Sequence, residues 1–205
     1  MSRFAPVVAA AGLLLAAAPA IADPLADMPA GVYKVDPTHN SVTWRVSHLG
    51  LSNYTARFTS VEAAIEFDPA KTETSKLTVS IDPTSLKTDY PYSDKKNFDK
   101  VLAEDKIWFN ANVHKSITFK SSKVEMTGPK TAKVTGDLTL LGVTKPVTLD
   151  ATLNGAMKEQ PFAKKPALGF SASGQIKRSE FGMSTYVPLV GDDVTLLIEA
   201  EFLKD

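Results

Sequence analysis

Apolar and polar residues alternate with a period of two along most of this chain. In the first such segment, Val42, Trp44 and Val46 alternate with polar side chains. Successive side chains of a β-strand point to opposite faces, so each such segment is predicted to be a strand with one buried face. Seven further segments show the same pattern: residues 61–67, 77–81, 117–119, 134–140, 147–153, 168–176 and 194–202.

Turn-forming residue pairs separate these segments, and strands with a single wet face are typical of antiparallel sheets. In residues 136–155, two alternating runs flank a turn predicted at Gly142-Val-Thr-Lys-Pro146. The alternation that opens at Ile117 shifts its phase near Ser121, which predicts a β-bulge. The other predicted turns contain Asp68-Pro69, Asp82-Pro83, Gly128-Pro129 and Gly191-Asp192.

One segment departs from the period of two. Between Asp94 and Glu104, the apolar residues Phe98, Val101 and Leu102 have the i, i+3, i+4 spacing of a single helix face. Asp94 is a residue type that caps helix N-termini. We predict a short helix over this segment, lying against a barrel end or a sheet edge.

About eight one-sided strands can form either a sandwich or a closed barrel. Several inward positions carry small residues, and in an eight-stranded barrel these would leave room for one ligand. Alternatively, large neighbours such as Trp44, Phe67 and Phe170 fill that space, and periodicity alone leaves both interpretations open. The small inward residues are Ala63, Gly136, Ala151, Ala172, Gly174 and Ala200.

Two polar residues share the phase of the apolar faces. His48 continues the inward set of the first strand, and Arg178 continues the inward set that ends at Ile176. Both lie at strand ends, where a barrel opens, so they could hold a polar head group above a deeper apolar tail. In the alternative, Arg178 is structural and forms an ion pair with Glu180 or Asp36.

Motifs for catalysis or metal binding are missing from the sequence. The histidines His39, His48 and His114 lack the close spacing of a catalytic zinc motif. His39 lies in a turn-like Asp-Pro-Thr-His-Asn stretch, where hydrogen bonds to local backbone are the more common role. The chain also lacks a Gly-x-Ser-x-Gly elbow, paired inward carboxylates and a phosphate-binding glycine loop. The sequence therefore predicts no enzyme, no metal site and no cofactor.

Composition narrows the class of protein further. The chain has no cysteine, which excludes disulfides, thiol catalysis and thiolate metal sites. Its 23 Lys and Arg residues balance 23 Asp and Glu residues, and no basic stripe is present, which argues against nucleic acid as a partner. Oligomeric state cannot be read from these patterns, and a homodimer is compatible with them.

The N-terminus has the pattern of a secretory signal peptide. Arg3 precedes a nearly unbroken apolar run, and Ala20-Ile21-Ala22 forms a small-x-small cleavage site. A membrane-spanning helix needs about 20 apolar residues, and Pro6, Pro19 and Asp23 make this run too short. We therefore expect residues 1–22 to be removed on export to a Gram-negative periplasm, leaving residues 23–205 as a single domain.

Four ordered blocks resemble the YceI family. They are VDPTHNSVTWRVSHLGLSNYTARF, GDLTLLGVTKPVTLDATL, GFSASGQIKRSEFGM and GDDVTLLIEAEF. The positions that fall on the family pattern in the first and third blocks are Asp36, His39, Ser41, His48, Leu49 and Gly50, and Arg178, Ser179, Glu180, Phe181 and Gly182. One further block departs from the family pattern, because Val101 stands in place of a histidine and His114-Lys115 in place of Tyr-Pro. The ligand of this protein could therefore differ from that of its relatives.

The resemblance implies an all-β, lipocalin-like fold: an extended antiparallel barrel with a long apolar pocket for a polyisoprenoid, quinone-type or other long-chain lipid. Together with the strand phase, it predicts eight pocket-wall residues, two residues at the polar end and two lid residues. The wall residues are Trp44, Val46, Phe67, Val79, Leu138, Leu149, Phe170 and Ile176; the polar end is His48 and Arg178; the lid is Trp108 and Phe109.

Three functions fit these expectations. The first is a non-catalytic carrier, store or sensor of the lipid. The second is a redox or stress-response accessory that uses a bound quinone as a reactant, although no cofactor motif supports it. The third is a filled barrel that acts as an interaction module through its outer surface.

Overall fold

A computed structural model of the protein describes residues 25–205; the predicted signal peptide, residues 1–22, lies outside them. Ten β-strands and one short α-helix make up this part of the chain. The strands are Gly31–His48 (β1), Ser52–Phe58 (β2), Val61–Phe67 (β3), Lys76–Ile81 (β4), Leu86–Lys87 (β5), Ile117–Gly128 (β6), Thr131–Leu140 (β7), Val143–Met157 (β8), Ala167–Lys177 (β9) and Val190–Lys204 (β10), and the helix is Phe98–Glu104 (α1).

Eight of the strands close into an antiparallel barrel. The sheet runs in the order β10-β9-β8-β7-β6-β4-β3-β1, and β1 pairs back onto β10, for example Trp44 with Leu196. This closure leaves no free edge between the first and last strands. The predicted all-β, lipocalin-like barrel of about eight strands with a short helix is confirmed.

Two short strands, β2 and β5, lie outside this circuit and had not been predicted. Besides its pairing with β10, β1 is long enough to pair with two further strands. Gly31–Lys34 pairs with β3, and Val42–His48 pairs with β2. β5 then extends the sheet beyond β2. Tyr54, Ala56 and Phe58 of β2 do alternate with polar residues, so the signal for this strand was present in the sequence.

The barrel has two distinguishable ends. We call the end where β1, β7 and β9 finish the upper end, and the end where they begin the lower end. At the lower end, the segment that precedes β1 packs into a buried cluster, and the hydroxyl of Tyr33 donates to the carbonyl of Pro29 over 2.7 Å. The cluster consists of Leu25, Met28, Tyr33, Phe67, Leu153, Leu168 and Phe202.

Helix α1 covers part of the upper end. It begins at Phe98, because the Asn97 side chain accepts a hydrogen bond from the backbone N–H of Lys100 over 3.0 Å. The predicted start at Asp94 is therefore wrong; the chain is still in a turn there, with the N–H of Lys96 bonded to the Tyr92 carbonyl. Among residues 25–205, no helix is both long and apolar enough to cross a membrane.

The hairpin between β7 and β8 corrects a second prediction. The turn is Leu141-Gly142, with both residues at positive φ, and β8 already begins at Val143. Pro146 is therefore a strand residue. It is tolerated because β9 pairs with β8 only from Asp150 onward, so Pro146 has a strand neighbour on one side only. The bulge predicted near Ser121 is confirmed by a register shift between Ser121 and Lys123.

A polar segment interrupts the regular pairing of β1 between Val35 and Asn40, where its register with β10 shifts; we call this irregularity the bend of β1. Asp36 accepts hydrogen bonds from the backbone N–H and the hydroxyl of Thr38, and its other oxygen lies 2.9 Å from Nδ1 of His39. These bonds lower the pKa of Asp36 to about 2, and the bond from the Thr38 hydroxyl makes the largest contribution. His39 thus bonds to a side chain, and the predicted backbone partner is wrong.

Candidate functional site

A cavity of about 750 Å³ extends along the barrel interior. Its wall is almost entirely apolar and is contributed by all eight strands of the circuit, β2 and the α1 segment. Inward residues near mid-barrel, such as Val42, Trp44 and Ile198, are only half-buried although they face the interior. Inward side chains that remain accessible border empty space, so the interior is not filled, contrary to the filled-barrel alternative.

Alanines create much of this space. Ala132, Ala151 and Ala172 are direct cross-strand neighbours on β7, β8 and β9, and all three line the cavity. A row of methyl groups across three adjacent strands leaves the centre of an eight-stranded barrel unfilled. Ala63 and Ala200 line the same cavity.

The two inward glycines behave differently, and the expectation that they leave volume is wrong. A Cβ placed on Gly136 would lie 2.5 Å from Cζ of Phe119, and a Cβ on Gly174 would lie 2.6 Å from Cδ2 of Leu149. Both distances are shorter than real Cβ contacts. The neighbouring side chains already occupy these positions, so the glycines permit close packing of the wall.

Each of the twelve residues predicted from the sequence lines the cavity, and contact of any of them with a ligand stays a prediction. They are Trp44, Val46, His48, Phe67, Val79, Trp108, Phe109, Leu138, Leu149, Phe170, Ile176 and Arg178. Sequence reasoning missed other large wall residues, namely Tyr54, Phe58, Phe98, Phe119, Val124, Val134, Leu196 and Ile198. Their alternation or helical spacing could have identified most of them.

Aromatic side chains cover the upper part of the cavity. The ring of Phe109 lies edge-on to Phe58 at 5.3 Å between centroids and 6.2 Å from Trp44. The ring of Trp108 lies 6.0 Å from that of Tyr186. The backbone of this segment folds back onto α1, because the N–H of Phe109 donates to the Leu102 carbonyl over 3.1 Å. The two predicted lid residues thus belong to a segment that crosses the upper end of the barrel.

The indole N–H of Trp44 has no acceptor. Within residues 25–205 it is the single buried side-chain polar atom without a hydrogen-bond partner. Its nearest aromatic neighbours are the rings of Tyr54 at 6.3 Å and Phe109 at 6.2 Å between centroids. An unsatisfied buried N–H opposes folding, so this side chain is held in place by its ring contacts.

Arg178 is committed to the backbone of the loop that precedes β10. Its side chain is only 3% exposed. Nε donates to the carbonyl of Gly191 over 2.8 Å, Nη1 to that of Met183 over 2.9 Å, and Nη2 to those of Thr185 and Val190 over 2.9 and 2.8 Å. Four of its five N–H groups are therefore used.

This geometry corrects both sequence interpretations of Arg178. The structural role is favoured over the head-group role, because a single N–H remains for a ligand. The expected ion pairs with Glu180 and Asp36 are wrong, since backbone carbonyls are the partners. Burial lowers the pKa of the guanidinium, and the nearby Asp192 carboxylate opposes that change.

Asp192 fixes the start of the same loop. It accepts hydrogen bonds from the backbone N–H and the hydroxyl of Ser179, over 2.8 and 2.7 Å. Burial raises the pKa of this carboxyl, but the two bonds from Ser179, together with Lys177 and Arg178, outweigh burial and lower it. Arg178 and Asp192 therefore hold the loop from both of its ends.

The polar residues at the upper opening are His48, Lys96 and Asp105. All three are exposed and line the cavity. Within the described part of the chain, no hydrogen bond or ion pair joins His48 to Arg178, whose partners are backbone carbonyls. At the lower end, the cavity is bordered by Thr72, Ser75, Lys130 and Thr131.

The segment that departs from the family pattern also lies at the upper end. Val101 lines the cavity, where relatives were expected to place a histidine. His114 packs over the β7–β8 turn, and a Cβ on Gly142 would lie 3.1 Å from its Cε1. The departures are therefore located beside the opening.

Among residues 25–205, one group of side chains has metal-ligand chemistry, but it lies outside the cavity. Ligand atoms of Asp36, His39 and Glu201 lie within 4.8 Å of one another. The Nδ1 of His39 is already bonded to Asp36, and the group is partly exposed at the bend of β1. The contacts of Asp36 account for this arrangement without an ion.

Comparison with known proteins agrees with the fold. The profile of the YceI-like domain matches residues 33–202. A UPF0312 protein of Pseudomonas putida is 37% identical over 156 residues, which are 75% of this chain and 77% of the relative. The crystal structure of Burkholderia cenocepacia BcnA superposes with a TM-score of 0.68 at 27% identity, covering 82% of this chain and 98% of BcnA.

A more distant structure shares the fold alone. It is a polyisoprenoid binding domain from Saccharophagus degradans, with a TM-score of 0.59 at 12% identity, covering 84% of this chain and 98% of that domain. The closed barrel, the lengthwise apolar cavity and the near-complete match of the family profile lead to one assignment. The chain belongs to the YceI-like domain family.

Proposed function

We propose that the barrel binds one long-chain lipid of the isoprenoid or quinone type, and that it acts in the periplasm as a non-catalytic carrier or store. The observation that carries this proposal is the apolar cavity of about 750 Å³, which is lined by the alanine row of β7, β8 and β9. The volume lies within the range of about 300–1,000 Å³ that is typical of small-molecule sites.

The cavity wall accounts for the driving force of binding. Transfer of each CH₂-sized unit from water to an apolar site contributes about 0.8 kcal/mol, so a chain of several isoprene units retains a large surplus after its ordering entropy is subtracted. A methyl-branched chain also suits a wall that combines alanines with aromatic rings. The distant structural neighbour described as a polyisoprenoid binding domain supports the same ligand class.

We place the polar end of the ligand at the upper opening. His48, Lys96 and Asp105 provide donors and acceptors there, and Arg178 stabilises the loop beside them. The chain then extends past Trp44 and Phe119 toward the alanine row. The quinone-linked redox alternative has no cofactor-binding motif in the sequence to support it.

The experiment introduces a charge into the wall. Phe170 lines the cavity and contacts Phe202, whereas Ser173 on the same strand faces outward. Phe170→Arg should abolish lipid recovery from the folded protein, and Ser173→Arg should leave it unchanged, measured by solvent extraction of protein purified from its own host. Full lipid recovery from folded Phe170→Arg would contradict the proposal. The lipid should also be recovered chemically unchanged after incubation, and its conversion to a product would contradict a non-catalytic role.

A further inference from the structure

Two loops at the upper end, together with the strand residues that adjoin them, contain no Asp, Glu, Lys or Arg. The uncharged stretches are residues 49–56, from the turn after β1 into β2, and residues 181–191, from the loop before β10 into its first two residues. Charged residues make up 22% of the whole chain, so such stretches are unusual for exposed loops. The two loops touch, because the N–H of Leu49 donates to the carbonyl of Leu189 over 2.7 Å.

The large apolar side chains of these loops are exposed to solvent. Leu51 is 84% exposed and Leu189 is 61% exposed. Leu49, Tyr186 and Val187 are exposed beside them, and we call these five residues the apolar rim. Leu49 adopts φ of 55°, a conformation that Asn or Gly adopts at lower cost, and still presents its side chain to water.

The apolar rim continues into the cavity opening. Tyr186 belongs to the rim, lines the cavity and lies against Trp108 of the covering segment. His48 lines the cavity and immediately precedes the turn that carries Leu49 and Leu51. A molecule that leaves the cavity at this end therefore passes over the rim.

Basic and aromatic side chains flank the same end. Nζ of Lys95 lies 5.2 Å from the ring of Tyr92, and Nζ of Lys96 lies 5.2 Å from the ring of Phe98. Tyrosine rings with lysines alongside are typical of the headgroup region of a membrane, while leucine tips suit the adjoining acyl boundary.

The lower end lacks this combination. Phe162 is even more exposed, at 91%, but it lies between Lys158, Glu159, Lys164 and Lys165. Insertion of that loop into a bilayer would bring several charges toward hydrocarbon, which costs free energy. Exposure of an apolar side chain by itself therefore does not distinguish the two ends; the lack of charged residues within the segment that carries it does.

We propose that the apolar rim inserts into the surface of a phospholipid bilayer, so that a lipid moves between the bilayer and the cavity without crossing water. This proposal rests on the proposed function, because contact between the opening and a membrane serves lipid exchange only if the cavity binds a lipid. A bilayer fits the rim better than a protein partner, because the rim offers exposed leucine side chains and no charges with which to specify a complementary protein surface.

The test uses flotation of the purified exported protein with vesicles of phosphatidylethanolamine and phosphatidylglycerol. The double variant L51E/L189E should bind these vesicles at least about tenfold more weakly, because two tips no longer bury apolar area and now carry charge. Its thermal unfolding should be unchanged, since both side chains are exposed. The matched control F162E changes an even more exposed apolar residue at the lower end and should bind as the wild type does.

The rate of transfer of preloaded lipid to the same vesicles should fall with binding in L51E/L189E, while retention of that lipid without vesicles stays at the wild-type level. Unchanged vesicle binding by the double variant, or an equal loss in F162E, would overturn the proposal. The proposal would also be overturned if the wild-type protein did not bind vesicles but formed a dimer that L51E/L189E converts to monomers, as measured by sedimentation. The rim would then contact a second copy of the chain. An empty wild-type cavity would overturn the lipid-binding function while leaving the flotation result interpretable.

Discussion

The two ends of the barrel are built on opposite principles. At the lower end, Tyr33 and Leu168 are fully buried in a cluster that includes the segment before β1, and the surrounding turns carry charged residues. At the upper end, large apolar side chains are exposed on uncharged loops, and a short helix with aromatic residues covers the cavity only in part. The lower end stabilises the fold, whereas the upper end leaves apolar surface unsatisfied where a ligand would enter.

This contrast shows how one sheet can serve both purposes. The same strands run through both ends, so their stability can be supplied at one end and the opening maintained at the other. Arg178 is the exception at the upper end: it replaces missing apolar burial with four hydrogen bonds to loop carbonyls. Substitutions at the two ends should therefore separate stability from binding.

The largest effect is expected in the lower cluster. Leu168 is 0% exposed, and Leu168→Ala should lower the free energy of unfolding by about 2–5 kcal/mol, because it removes buried methyl groups and leaves a cavity. Leu51→Ala, at the upper end, should change it by less than about 0.5 kcal/mol. Urea unfolding followed by fluorescence measures both, and equal losses would show that the ends do not differ in this way.

Loss of Arg178 should be the next largest effect. Arg178→Ala leaves four loop carbonyls without their charged donor, which should cost about 3 kcal/mol and expose the loop before β10 to protease. Lys177→Ala is the neighbouring control, because its ion pair with Asp193 is exposed and contributes little. If Arg178→Ala kept wild-type stability and selectively lost ligands with anionic heads, the head-group role would be correct after all.

Filling the alanine row should alter binding with little loss of stability. Ala172→Phe adds a ring to the alanine row that lines the cavity. Retention of the longest isoprenoid chains should therefore fall by roughly tenfold, while short chains are still retained. Competition between chain lengths on delipidated protein measures this. The outward variant Ser173→Phe should show no such preference, and an unchanged preference in Ala172→Phe would place the chain elsewhere.

The smallest effect concerns pH and the bend of β1. Asp36 has its pKa lowered from 3.8 to about 2, so its contribution to stability is present above pH 3.8 and is lost as pH falls toward 2. The hydrogen bond to Asp36 raises the pKa of His39 above 6.5. The stability that His39 contributes is therefore complete below pH 6.5 and is lost as pH rises through the raised pKa of His39. The difference in melting temperature between wild type and Asp36→Asn should thus be greatest between pH 4 and 6, and a pH-independent difference would contradict the pairing.

Strand phase was sufficient to predict which residues face the interior. The inward positions of Phe170 and Ile176 follow from one uninterrupted alternation along β9, and its phase extends to Arg178 just after the strand; the structure places all three on the cavity wall. Phase could not reveal what each inward residue meets. Gly174 and Ala172 look equivalent in the sequence, but only cross-strand packing determines that Leu149 occupies the space beside Gly174.

Loop structure was the least predictable part of the site. The partners of Arg178 are carbonyls of residues 183–191, which converge only once β9 and β10 are paired and the intervening loop has folded back. The start of α1 differs from the prediction for a local reason, because Asn97 and not Asp94 caps the helix. Alternation encodes the wall of the cavity, whereas its opening depends on contacts between distant segments.

The central claim, that the space inside this barrel holds a lipid chain, is tested most directly by native mass spectrometry of the intact protein purified from its own host without detergent. The account predicts one added mass per barrel, which is released into organic solvent as an isoprenoid-type lipid and is taken up again by the delipidated protein. A spectrum that contains only the mass of the polypeptide, together with no uptake of added prenyl lipid, would contradict the account.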